Sequence, residues 1–110
     1  MKVEKKSDYT LIRTDETSFS AFLANFKTGY ENLSETHLVL LISEEINTSI
    51  KDLLLLLDIS SAHKIRKLSF ICVTNRVEID EIPEEFSVVP TLEEAEDLLE
   101  MDAIERDLGF

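Results

Sequence analysis

The sequence predicts an α/β domain with a mixed, largely parallel sheet of four to five strands and three helices. Three observations carry that prediction. Leu38–Ile42 is an unbroken apolar run with no polar alternation, the pattern of a strand covered on both faces of a parallel sheet. The five consecutive leucines Leu53–Leu57 follow in a helix-length segment, and a second apolar run, Leu68–Val73, returns after them. Together these make one strand–helix–strand unit, whose connection is right-handed by rule. Finally, Phe19, Phe22, Leu23, Phe26, Tyr30 and Leu33 recur at three- and four-residue spacing, one apolar face of a helix.

The elements follow in order. Val3–Lys6 and Tyr9–Arg13 read as a hairpin across Ser7-Asp8, with the first strand at a sheet edge. Thr17 or Ser18 supplies a hydroxyl to cap the phenylalanine-rich helix, which Gly29 weakens near its end by about 1 kcal/mol relative to alanine. The strand Leu38–Ile42 gives way to Ser43-Glu44-Glu45-Ile46, and a second helix is expected from Asn47–Ser49 to about His63. Its leucines wrap more than one face, so it should be wedged between the sheet and a neighbouring helix. His63-Lys64-Ile65-Arg66-Lys67 suits a helix C-terminus, where positive charge meets the negative end of the dipole.

Thr74–Glu85 reads as a polar connection along the domain edge, and Phe86–Val89 as a short last strand. Thr91 and Glu94 then have the spacing of a capping box for a final acidic helix from Leu92 to about Leu108. In that helix Leu92, Ala95 and Leu99 form one apolar stripe. Leu98, Met101, Ile104 and Leu108 form a rotated one, which is free to face a partner.

At 110 residues the chain is expected to be one domain, residues 1–110, burying roughly two-thirds of its unfolded surface. Its charge is unevenly placed. Residues 1–76 carry ten acidic and ten basic side chains, whereas residues 77–110 carry thirteen acids and one base, Arg106. The net charge of −12 therefore comes entirely from the last third, and it disfavours nucleic acid and anionic membrane while favouring basic protein surfaces. No apolar run approaches the ~20 residues of a membrane helix, and the charged start lacks a signal region, so a cytoplasmic location is expected. Cys72, the lone cysteine, falls inside an apolar strand and has no partner for an internal disulfide.

The inventory offers little catalytic chemistry. His37, His63 and Cys72 do not stand at metal-ligand spacing, and two glycines, Gly29 and Gly109, make no phosphate-cradling loop. No metal or cofactor is expected, and no catalytic residue is assigned. The turn Asn47-Thr48-Ser49 is the most informative site. Its residues are good helix caps, and a phosphate on one of its hydroxyls would meet free amides at a helix start.

The order hairpin, helix, strand, helix, strand, strand, helix resembles the STAS domain of anti-sigma factor antagonists and sulfate-transporter tails. Asn47-Thr48-Ser49-Ile50 lies in the frame of that family's Asp-Ser-Ser-Gly, followed by Leu53-Leu54-Leu55 and then Leu68-Ser69-Phe70-Ile71. Pro90-Thr91-Leu92-Glu93-Glu94-Ala95 is similar to the family's start of its last helix. The resemblance covers about residues 9–108. The closing stretch 100–110 is also similar to short STAS-like chains of Bacteroidetes, some labelled ribonuclease Z, a chemistry that no residue here supports.

The resemblance implies a non-catalytic protein-interaction or regulatory module, like an anti-sigma factor antagonist. It implies partner contact at Ile46, Asn47, Thr48, Ile50 and Lys51, with Thr48 or Ser49 as phosphoacceptor. Asn47 and Ile50 stand where the family has Asp and Gly, so the phosphorylation hinge is degenerate. The family's helix between its last two strands is replaced by the short 74–85 connection. The alternative expectation is an acidic adaptor that docks a basic enzyme or masks a nucleic-acid-binding site through Glu100, Asp102, Glu105 and Phe110.

Overall fold

The computed structural model describes residues 1–109. Five strands form a mixed sheet in sequential order: β1 (Lys2–Lys5), β2 (Thr10–Arg13), β3 (Leu38–Leu41), β4 (Phe70–Val73) and β5 (Ser87–Val89). β1 is antiparallel to β2, and β2 through β5 run parallel. The strand register places Leu38 beside Phe70 and Leu40 beside Cys72.

Alternation along the strands builds two cores. Ile12, Leu38, Leu40, Phe70, Cys72 and Val88 point to one face, where they meet Phe19, Phe22, Leu23 and Phe26 of α1 (Phe19–Gly29). Leu53 and Leu56 complete that layer. Leu11, Val39, Ile71 and Val73 point to the other face and are covered by Ala95, with Leu92, Leu98 and Leu99, of α4 (Leu92–Asp107). The unbroken apolar runs are thus explained by cover on both faces. Burying a side chain such as Phe22 or Phe26 fully contributes about 1.5–3 kcal/mol.

Ser18 caps α1, its Oγ accepting from the Ala21 amide at 3.1 Å. At Gly29 the helix tightens into a 3-10 turn, Tyr30–Asn32. The expected single leucine-rich helix is two helices, α2 (Ile50–Leu54) and α3 (Leu57–Ile65), which makes four helices rather than three. The amides of Leu55 and Leu56 bond to the carbonyls of Asp52 and Leu53, three residues back, at 3.1 and 2.9 Å. Leu56 has ψ of −8°, away from the α-helical value. This tighter turn divides the segment between the buried Leu53 and Leu56, and leaves Leu54 and Leu55 outward.

Between β4 and β5 the connection holds only a 3-10 turn, Ile79–Glu81, while Val77 and Ile82 pack on the α1 face. Thr91 caps α4 by accepting from the Glu94 amide at 3.1 Å. The reciprocal capping box lies instead at Ser49 and Asp52, where Ser49 Oγ accepts from Asp52 N at 3.2 Å and Asp52 Oδ2 accepts from Ser49 N at 3.1 Å. Among the described residues, no helix is long and apolar enough to cross a membrane.

Candidate functional site

In open α/β sheets binding surfaces gather at the carboxyl ends of the strands, and here that end is organised around the 43–52 segment. Thr14, just past β2, is buried and ties this end together: its Oγ1 accepts from the Ser43 amide at 2.8 Å. Ser43 in turn accepts from the amides of Glu45 (Oγ, 3.2 Å) and Ile46 (carbonyl, 3.1 Å). From the β4 side, Asn75 donates to Glu44 Oε1 at 3.3 Å and the Arg76 guanidinium donates to the Glu44 carbonyl. The loop is therefore held from both neighbouring strands.

The structure separates the expected contact residues. Ile46 is a core side chain, 1% exposed, and Thr48 is turned inward at 4%, its hydroxyl at 3.5 Å from the Ile46 carbonyl. Neither is presented at the surface. Asn47, Ser49 and Lys51 are exposed and Ile50 is half-buried. One helical turn beyond Ile50 and Lys51 lie two apolar side chains that the sequence placed inside a wedge: Leu54, 37% exposed, and Leu55, 55%. Their outward turn was legible only as five leucines, too many for one core stripe.

Ser49 is the accessible hydroxyl of the two phosphoacceptor candidates, and it is engaged as the cap of α2. A phosphate there would face the Asp52 carboxylate, three residues on, a like-charge contact that opposes its retention.

The opposite end of the sheet holds a polar cluster that sequence reasoning missed. Ser69, immediately before β4, is buried; its Oγ donates to Asp102 Oδ2 at 2.8 Å and accepts from Arg106 at 3.3 Å. The Ser69 amide donates to His37 Nδ1 at 2.9 Å. Ser, His and Asp are all present, but the histidine faces the serine amide rather than its hydroxyl, which differs from the wiring of an activated nucleophile. The cluster clamps the second half of α4 onto the sheet end, beside a shallow cleft of about 230 Å³ lined by Lys64, Lys67 and Glu105. Burial and the nearby Arg106 charge hold His37 below its ordinary pKa.

The basic cluster stands in the last turn of α3 and just beyond it, as expected for a helix C-terminus, and its side chains make further contacts. His63 is fully buried. Lys64 reaches across to the Glu85 carbonyl and Ser87 Oγ at 2.5 and 2.8 Å, and Arg66 pairs with Glu35 at 2.5 Å. Cys72 is fully buried and its thiol is pushed up to about 12 by desolvation, so it carries no thiolate near neutral pH.

Of the expected acidic-tail contacts, Glu100 and Glu105 are exposed, Asp102 is engaged with Ser69, and Phe110 lies outside the described residues. Among the described residues, no three His, Cys, Asp or Glu side chains converge to hold a metal ion. Comparison with protein-family models and with curated proteins finds no match to this chain.

Proposed function

We propose that this chain is a non-catalytic, STAS-like protein-interaction module that docks a partner protein through the start of α2. One observation carries the reading: Leu54 and Leu55 are turned to solvent one helical turn from exposed Lys51, on the short helix that follows a loop hydrogen-bonded to both neighbouring strands. Exposed apolar side chains rimmed by polar ones are the make-up of a binding patch. The contact set is therefore Asn47, Ile50, Lys51, Leu54 and Leu55, without the buried Ile46 and Thr48.

A photo-crosslinking residue placed at Asn47, Lys51 or Leu55 is expected to trap one discrete adduct in native cells. The same probe at Lys27, on the exposed side of α1, is the control. No adduct at the three sites, or an equal one at Lys27, removes the proposal. Phosphorylation belongs to a narrower form of the same reading, with Ser49 the accessible acceptor and Thr48 reachable only if the loop opens. Peptide mass spectra of protein from native cells decide it: unmodified Ser49 and Thr48 across growth conditions exclude that form and leave the docking surface standing.

A further inference from the structure

The outer side of α4 presents a second surface, independent of the first. At 100° per residue, Ala95 and Leu99 face the sheet, and Met101, Ile104 and Leu108 fall on the opposite side. They are 57%, 59% and 66% exposed, an apolar stripe about two turns long. Charge surrounds it: residues 92–107 contain eight carboxylates and one base. On the wheel Asp97 continues the line of the stripe one turn before Met101 and Glu105 flanks it, and both are exposed.

That charge decides what fits. A second copy packed stripe to stripe would bring carboxylates against carboxylates, and Arg106, the one available base, is turned away to Ser69. Glu105 and Asp107 also sit at the negative end of the helix dipole, an unfavourable position that an approaching cation relieves. We infer that the outer face of α4 docks a basic amphipathic helix of a partner protein. Its apolar side covers Met101, Ile104 and Leu108, and its Lys or Arg side chains meet Asp97 and Glu105. Helix-on-helix cover of this kind uses apolar anchors for affinity and rim charges for orientation and rate.

The full chain is titrated with two fluorescent model peptides of leucine and lysine, of equal composition and about five helical turns. One is patterned as an amphipathic helix and the other is scrambled. The amphipathic peptide is expected to bind at least about tenfold tighter than the scrambled one. Its affinity should fall at least about tenfold between about 0.05 M and about 0.5 M salt. Ile104→Ser with Met101→Ser, both at exposed positions, should weaken it about tenfold or more, while Leu55→Ser, in the α2 surface, leaves it unchanged. Circular dichroism confirms that each variant keeps its fold. Equal binding of the two peptides, or binding indifferent to the Met101 and Ile104 changes, overturns the inference. So does an Ile104-dependent dimer in sedimentation, which assigns the stripe to a second copy.

Discussion

The hydroxyl of Tyr30 donates to Nδ1 of the fully buried His63 at 2.7 Å. The other ring nitrogen, Nε2, lies 2.7 Å from the Thr36 carbonyl, which can only accept, so Nε2 carries the proton and Nδ1 is the acceptor. The imidazole also meets Phe70 edge-on at 5.7 Å between ring centres. One neutral histidine thus joins the end of α3 to the 3-10 turn after α1 and to the loop before β3.

Tyr30→Phe keeps the ring and removes the donor, leaving a buried acceptor unpaired. A loss of about 1–3 kcal/mol is expected. Urea unfolding checks it: the midpoint should fall while the slope stays constant. A change in unfolding free energy below a few tenths of a kcal/mol would show that the bond contributes little.

Burial, with the nearby Arg66 charge, holds His63 below its ordinary value of 6.5 despite the bond to Thr36. The unfolded chain therefore takes up the proton first as pH falls. Stability should be flat for this group above about pH 6.5 and decline from there toward the lower folded pKa. His63→Gln should flatten part of that decline in urea titrations between pH 7.5 and 5.5, about the window that the ordinary histidine pKa sets. His37, shifted the same way, retains the remainder. An unchanged slope in the variant would assign the acid sensitivity to other groups.

Lys67 follows α3 with φ of 67°, the left-handed region that a side chain disfavours. Its amide and that of Leu68 bond back to the carbonyls of Lys64 and His63 at 2.9 and 3.3 Å, closing the helix end. Lys67→Gly should raise stability by about 1 kcal/mol by removing that strain. Thermal unfolding reads it as a higher Tm; an unchanged or lower Tm would mean that the lysine side chain offsets its backbone cost.

Ser60, on α3, is fully buried and its hydroxyl has no hydrogen-bond partner among the described residues. Ser60→Ala removes that group with almost no change of volume, and should be neutral or stabilising by up to about 1 kcal/mol. A loss of stability in chemical denaturation would show the hydroxyl to be satisfied in solution.

Much of the architecture was readable along the chain because it depends on local pattern. The apolar runs around Leu40 and Ile71 announced strands buried on both faces, Ser18 and Thr91 announced helix starts, and the two stripes of α4 announced a helix with two apolar sides. These features repeat at two or at three to four residues, so each is written into a short window.

Tertiary structure decided what those windows do not contain. Register between elements far apart in sequence brings Ser69 to Asp102, Tyr30 to His63 and Thr14 to Ser43. It made His63, at the C-terminal end of α3, a core residue as well, and Thr48 a buried hydroxyl rather than a presented one. It also broke the leucine helix, because five consecutive leucines can satisfy a core in more than one way until the sheet and α1 fix which of them it needs. The sequence by itself determined the strands, most of the caps and the acidic character of the last helix. Packing against distant residues determined which side chains of the 46–55 segment and of α4 are left for a partner to touch.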